Sequence, residues 1–213
     1  MSDIRTLIER VDIGSLRLLL ARHPELANKG IGLKDRNEAV AHPLHRLCDG
    51  VFEGVYTDAS AWQMAQVFVA AGANVNGVDL RRNQDSPLTA AASLSADQTG
   101  MYYVDIGASV THCGCHGGTA LHWAAWCGRD KLVAKLIWAG SLVNTRCTDF
   151  ESTPLFWAVH GCKKGGLRNQ HHQYQCVKLL IEAGAHVDTR NKEGVHVLEL
   201  LDDTDAEMRA LLS

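Results

Sequence analysis

The sequence has no long apolar segment and almost no excess of one charge. No run approaches the roughly 18 apolar residues that a membrane helix needs, and residues 1–10 are amphipathic and charged, unlike a signal peptide. The 21 Lys and Arg residues are nearly balanced by 24 Asp and Glu residues, so the chain lacks the long-range field of a nucleic-acid or anionic-membrane binder. We therefore predict a cytoplasmic protein with no nucleic-acid partner and no membrane partner.

The sequence also lacks the cysteine pattern of a disulfide scaffold. Its seven cysteines are odd in number and lie among helix-like segments, which indicates reduced thiols in a reducing compartment. Hydrophobic residues make up 46% of the chain, which is enough for a core and excludes a disordered polymer.

Two short phrases alternate along the chain. The first reads TALHWA from Thr119 and TPLFWA from Thr153, with weaker copies that start at His42, Ser86 and His196. The second reads AGANVN at 71–76, IGASV at 106–110, AGSLVN at 139–144 and AGAHVD at 183–188. The starts of the first phrase are 44, 33, 34 and 43 residues apart. The underlying period is therefore 33, with two insertions of about ten residues.

This pattern resembles the ankyrin repeat, in which T-P-L-H-x-A is followed by a second helix that ends in G-A-x-V-N. The resemblance implies an all-α solenoid of stacked helix-turn-helix units with short β-hairpin fingers. We predict a single domain over 1–213, with about five repeats and an atypical N-terminal cap. The predicted units are approximately 1–36, 37–80, 81–113, 114–147, 148–190 and 191–213. Each unit buries too little apolar surface to be stable alone.

Local signals add detail to this prediction. The capping-box spacing at Ser60 and Thr204 predicts that second helices start there. A polar outer surface is expected on the terminal unit, formed by Asp202, Asp203, Asp205 and Glu207.

The two insertions, at about 49–58 and 163–172, are predicted to lie between the two helices of their units. The first is acidic and aromatic, with Val51, Phe52, Val55 and Tyr56 looking exposed, and the second is basic and rich in His. Either they are surface length that the fold tolerates, or they flank one groove and orient a partner. In the second case His160, His171 and His172 would make the contact sensitive to pH near about 6.5.

The resemblance implies a non-enzymatic protein–protein interaction module that binds a partner protein through its concave face and its fingers. We expect a monomer that needs no cofactor. The residues carried over to the concave face are Asp49, Ser93, Leu94, Trp126, Cys127 and His160. Those carried over to the fingers are Arg82, Asn83, Asp85, Cys115, His116, Asp149, Phe150, Lys192 and Glu193.

The motif also assigns structural residues. Trp123 and Trp157 occupy one motif position and are expected to stack between repeats, whereas Trp126 is expected to be an exposed interface anchor. His122 is expected to hydrogen-bond the neighbouring finger, with His45 as its counterpart.

The alternative function is that of a metal- or redox-responsive repeat protein. Thiolate and imidazole are ligands that zinc prefers, and His112, Cys113, Cys115 and His116 lie within five residues. This spacing is too crowded for a tetrahedral structural site, so no metal site is predicted. An enzyme that pairs His122 with Cys127 is a more distant alternative, because the sequence offers no third group to orient the base.

Overall fold

The computed structural model describes residues 3–33, 36–81, 83–164 and 170–213. These ranges contain α1 (Ile4–Glu9), α2 (Ile13–Arg22), β1 (Ile31–Leu33), β2 (Arg36–Ala41), α3 (Pro43–Phe52), α4 (Asp58–Ala70), α5 (Pro87–Ser93), α6 (Asp97–Asp105), α7 (Ala120–Trp126), α8 (Asp130–Trp138), α9 (Pro154–Lys164), α10 (Gln170–Glu182) and α11 (Ala206–Leu211). The fold is all-α apart from the antiparallel pair of β1 with β2, in which Ile31 pairs with Ala41. In the described ranges no helix is long and apolar enough to cross a membrane.

The helices form two compact bodies. The N-terminal body comprises Met1–Arg81 and Ser86–Ser109, and the C-terminal body comprises Arg82–Asp85 and Val110–Ser213. Within the first, α2 packs on α4, α3 on α5 and α4 on α6; within the second, α7 packs on α9 and α8 on α10. Each body is thus a stack of helical hairpins. The division into six repeat units stays a prediction.

The first recurring phrase marks helix starts. His42, Ser86, Thr119 and Thr153 each stand directly before the first residue of a helix, and His196 stands before a short 3₁₀ turn. In each case a side-chain atom accepts a hydrogen bond from a backbone N–H two or three residues further on. The phrase recurs because the first N–H groups of a helix have no partner within the helix.

The second phrase marks helix ends. Gly72, Gly107, Gly140 and Gly184 follow α4, α6, α8 and α10 with φ angles of 92°, 91°, 90° and 87°. This left-handed conformation is strained for residues with a side chain, so the glycine stops the helix. The predicted helix stops are confirmed.

Two predicted helix starts are wrong. The N-cap of α4 is Thr57, whose Oγ1 accepts the N–H of Ser60 at 3.2 Å, so α4 begins at Asp58 and not at Ser60. Helix α11 begins after Asp205 and not after Thr204. Thr57 determines the start of α4 by capping it, whereas Asp205 makes no side-chain capping hydrogen bond to α11.

The two insertions lengthen helices more than they lengthen the turns between them. Helices α3 and α4 have 10 and 13 residues, against 7 and 9 in α5 and α6. Helices α9 and α10 have 11 and 13 residues, against 7 and 9 in α7 and α8. Phe52 and Val55 are exposed, whereas Tyr56 folds back and its hydroxyl donates to the carbonyl of Arg46. Residues 165–169 of the second insertion lie outside the described residues.

The terminal segment is tied to the last full hairpin by Lys163, near the end of α9. Its Nζ donates to Asp202 at 2.8 Å and to Asp205 at 2.6 Å. Asp205 is buried, so the prediction that it belongs to the polar outer surface is wrong. Asp202, Asp203 and Glu207 are exposed as predicted.

Candidate functional site

The C-terminal body contains a cavity of about 440 Å³ whose wall is mainly aromatic. Helices α7 and α9 contribute most of its rings, and the fingers and the terminal segment complete it. The lining residues are His116, Trp123, Trp126, Phe150, Ser152, Phe156, Trp157, His160, Asn191, Glu193, Val195 and Leu200.

Trp157 lies at the centre of this cluster and is only 5% exposed. Its ring is nearly perpendicular to that of Trp123, with centroids 5.0 Å apart, and to that of Trp126, with centroids 6.0 Å apart. Its indole N–H donates to Ser152 Oγ at 3.1 Å, which fixes the orientation of the ring. Trp123 and Trp157 therefore meet between repeats as predicted, but their rings pack edge to face and are not stacked.

Three ring pairs repeat the same spacing along the sequence. His116 and Phe150, Trp123 and Trp157, and Trp126 and His160 are each 34 residues apart, which is one repeat. Their ring centroids lie 5.2, 5.0 and 4.8 Å apart. Since α7 packs on α9, equivalent positions of the two repeats face each other, and each aromatic side chain meets its counterpart.

The fingers hold the outer part of the cavity in place. The N–H of Asp149 donates to the carbonyl of His116 at 3.2 Å, and the N–H of Lys192 donates to the carbonyl of Phe150 at 2.8 Å. The side chains of His116 and Asp149 also pair, with Nδ1 and Oδ2 2.9 Å apart. Successive fingers are therefore joined to one another at the edge of the cavity.

The charge of the wall is acidic. Among the described residues that line the cavity, Glu193 carries a formal charge at neutral pH, and none is a Lys or Arg. Asp149 and Glu151 are exposed beside the lining residue Phe150. Aromatic ring faces carry the negative end of a quadrupole, so the ring faces and the carboxylates both attract positive charge.

Several predicted contact residues meet at this cavity. His116, Trp126, Phe150, His160 and Glu193 line it. Asp149 and Lys192 adjoin it through the finger contacts described above. Trp126 is half-buried, so the prediction of an exposed Trp126 is wrong in degree, because its ring is held between those of Trp157 and His160.

Among the described residues, the other predicted contact residues of the C-terminal body do not line the cavity. The carboxylate of Asp85 accepts the N–H of Cys115 at 3.0 Å, and a side chain at Gly114 would clash with Asp85. Cys127 is the C-cap of α7 and does not line the cavity. Asn83 is exposed with a φ of 62°. Arg82 lies outside the described residues.

Three predicted contact residues belong to the N-terminal body. Asp49 lies within α3 and pairs with Arg46 at 3.3 Å. Ser93 donates its hydroxyl to the carbonyl of Ala90 at 3.2 Å, and Leu94 is the C-cap of α5. All three are half-buried.

The N-terminal body has a groove of its own, of about 1060 Å³. It lies along α2 and α4 and includes Arg17, Leu20 and Gln63 in its lining. Although this groove is larger, no aromatic side chain lines it in the part of the chain described, so it has none of the fixed anchoring surface of the smaller cavity.

His122 has the structural role that the motif predicts. It is fully buried, its Nδ1 accepts the N–H of Thr119 at 3.1 Å, and its Nε2 lies 3.2 Å from the carbonyl of Ser152. Burial lowers the pKa of His122 to about 4, so the ring is neutral at pH 7.

His45 differs from His122, its predicted counterpart. Its Nε2 faces Asp49 at 3.7 Å within the same helix. Buried His42 caps α3 instead: its Nδ1 accepts the N–H of Leu44, and its Nε2 lies 3.1 Å from Asn28 Oδ1. Burial lowers the pKa of His42 to about 4.

The Cys- and His-rich run does not converge on one point. His112 Nε2 lies 2.8 Å from the carbonyl of Gln84, and His116 pairs with Asp149. Cys113 is exposed, and burial raises the pKa of the Cys115 thiol. Within the described part of the chain, no three His, Cys, Asp or Glu side chains are grouped to hold a metal ion.

The remaining lining residues are ones that the sequence did not assign to a contact surface. Trp123 and Trp157 were interpreted only as a stack within the core, and Phe156 and Leu200 were not singled out. The signal that could have assigned Trp123 and Trp157 to this surface is the spacing of 34 residues shared by the three ring pairs.

Helical hairpins with capped starts, glycine stops and finger contacts from repeat to repeat define a repeat protein. The family model of the ankyrin repeat matches residues 116–148 and 151–192, and these two segments contain every residue of the three ring pairs except Phe150. The chain thus contains ankyrin repeats over these two segments. No curated protein matches it.

Proposed function

We propose that this protein is a non-enzymatic protein–protein interaction module, and that the aromatic cavity of the C-terminal body is where it binds its partner. Ankyrin repeats generally mediate protein–protein interaction, and the cavity lies across the two matched repeats. A cytoplasmic location and a monomeric state belong to the same proposal. The observation that carries it is the set of three aromatic pairs that line one open cavity.

This arrangement suits an interface anchor site. Tryptophan is enriched among the residues that dominate binding energy, and such residues cluster in well-packed pockets. Trp123 and Trp126 are half-buried, so each keeps part of its ring accessible while its neighbours fix the rest. A partner side chain that enters would meet rings already held in place, which limits the entropic cost of binding.

The rival functions have less support. His122 is buried with both ring nitrogens engaged, so it is not poised as a base for Cys127. The Cys- and His-rich run is divided between different hydrogen-bond partners, which leaves the metal-responsive alternative without a ligand set.

The proposal is tested by the variant Trp126→Ala with His160→Ala, compared with wild type and with the matched control Trp138→Ala. Trp138 lies on α8 and is 80% exposed, so all three proteins should give the same circular dichroism spectrum. Proteins captured from a lysate are identified, and the affinity of each enriched protein is then measured with purified components. We expect the double variant to lose about 2 kcal/mol or more of binding energy, roughly 30-fold in Kd. A partner that binds the double variant as tightly as wild type would disprove this site.

A further inference from the structure

The cavity combines ring faces with negative charge in a way that favours a particular kind of occupant. We propose that it accepts the methylated ammonium group of a lysine side chain, carried by a peptide segment of the partner. This inference rests on the proposed function and adds the chemistry of the ligand to it.

The first argument is the arrangement of the rings. Trp157 forms a floor, and the rings of Trp123 and Trp126 stand at 87° and 73° to it. A cation in the corner between Trp126 and Trp157, whose centroids are 6.0 Å apart, lies within the range of about 6 Å at which ring faces attract cations. Phe150 adds a further ring at 6.1 Å from Trp157.

The second argument is charge. Glu193 is the formally charged residue among the described lining residues, and it is exposed to solvent, so its carboxylate adds a negative potential that attracts a cation towards the cavity. A cationic occupant would pair with the same carboxylate. The ammonium group of Lys192 does not fill this role, because Lys192 does not line the cavity.

The third argument is that the acceptor atoms of Ser152, next to Trp157, already have hydrogen-bond partners. An unmodified ammonium group has three N–H donors that need partners. Ser152 Oγ already accepts the indole N–H of Trp157, and the Ser152 carbonyl already faces His122 Nε2. Methyl groups replace N–H donors and leave the positive charge, so a methylated ammonium suits this wall better than a free one.

The volume is also sufficient. At about 440 Å³, the cavity lies at the lower end of the range of roughly 300–1,000 Å³ found for ligand pockets. This exceeds the size of a single ammonium head group, and leaves space for the aliphatic stem of a lysine and for adjacent peptide backbone.

The test uses three peptides, Ac-Ala-Gly-Xaa-Gly-Ala-NH2, in which Xaa is trimethyllysine, lysine or the neutral isostere with a tert-butyl group in place of trimethylammonium. The full chain is titrated with each peptide, and the indole N–H signals of Trp123, Trp126 and Trp157 are followed by NMR. We expect trimethyllysine to bind about 5-fold or more tightly than either of the others. Equal or tighter binding of the isostere, or no binding of trimethyllysine at millimolar concentration, would overturn the inference.

Two further comparisons sharpen the result. Glu193→Gln should weaken the trimethyllysine peptide about 3-fold or more and leave the isostere unchanged, whereas Trp138→Ala should change neither. Tetramethylammonium chloride alone should bind more weakly than the trimethyllysine peptide, and equal affinity would assign the cavity to a free small cation instead of a peptide.

The two proposals fail separately. If the isostere binds as well as the cation, the cavity is a binding site and only the ligand chemistry is wrong. If purified partners bind Trp126→Ala with His160→Ala as tightly as wild type, the proposed function itself is wrong, whatever the peptides do.

Discussion

Asp58 is expected to stabilise a helix other than its own. It is the first residue of α4, and its carboxylate accepts the N–H of Gln98 at 2.6 Å and the N–H of Thr99 at 3.1 Å. These are the second and third N–H groups of α6, whose own N-cap, Ala96, offers no side-chain acceptor. The hydroxyl of the fully buried Thr99 also donates to Asp58 at 2.6 Å.

The magnitude follows from these contacts. Loss of an N-cap costs about 0.5–2 kcal/mol, and a hydrogen bond to a charged group contributes about 1.5–3 kcal/mol. Thr99 keeps a weaker acceptor in the Asp58 backbone carbonyl at 3.3 Å, so the hydroxyl is not left unpaired. We therefore expect Asp58→Ala to lower the free energy of unfolding by about 3 kcal/mol, a large part of the usual 5–15 kcal/mol.

The assay is urea unfolding followed by circular dichroism at neutral pH. With a slope near 3 kcal/mol per M, the midpoint of Asp58→Ala should fall by about 1 M. Asp58→Asn keeps one acceptor oxygen without the charge and should lose about half as much. The matched control is Asp79→Asn, at an exposed residue with a φ of 49°, a conformation that both residues tolerate. A midpoint for Asp58→Ala within 0.2 M, roughly, of wild type would refute the reasoning.

The hydrogen bonds from Lys163 lower the pKa of Asp202, and the same contacts with Asp202 and Asp205 raise the pKa of Lys163. A carboxyl group with a lowered pKa stabilises the folded state at pH values above its unfolded pKa of about 4, and this stabilisation is lost as the pH falls below that value. Lys163→Met should therefore lower Tm at pH 7 by more than the exposed control Lys178→Met does, and the difference between the two variants should shrink below about pH 4. If this difference is unchanged at about pH 3, the ion pairing of Lys163 is contradicted. Burial lowers the pKa of His122 to about 4. The folded protein therefore loses stability relative to the unfolded chain as the pH falls from about 6.5 towards 4, because the unfolded chain binds a proton that the folded protein does not. Between pH 7 and pH 5, wild type should lose about 2 kcal/mol on this account, and His122→Gln should lose less when urea midpoints are compared; equal losses would mean that His122 does not carry the effect.

The helix starts at the first recurring phrase and the helix stops at the second were predictable, because single residues determine them. Thr119 and Ser86 cap helices through their own side chains, and Gly140 ends a helix through its own φ, so local chemistry is enough. The contribution of Asp58 could not be predicted, since its partner Thr99 is 41 residues away and no local pattern links them. The same applies to Lys163, whose ion pairs depend on where the terminal segment packs.

Several residues of the candidate site were predictable from the sequence, but their arrangement around one cavity was not. The repeat register gave His116, Phe150 and Trp126 as contact residues, and it gave Trp157 as a core residue. It did not show that these are parts of one surface, because the register specifies which face a residue occupies and not how its ring is turned. Ring orientation depends on side-chain rotamers and on partners such as Ser152, which holds the Trp157 indole.

The lengthened helices imply a rule about which insertions this architecture can absorb. Helix α9 exceeds α7 by four residues, and α10 exceeds α8 by four. At 3.6 residues per turn, such additions return the side chains almost to their original phase, whereas one or two residues would rotate the packed stripe by about 100–200°. Because the two helices of a hairpin run antiparallel, they must lengthen together, and four added residues extend each helix by about 6 Å. The length of a helical hairpin can therefore change in steps of about one helical turn while its packed side chains keep the same orientation.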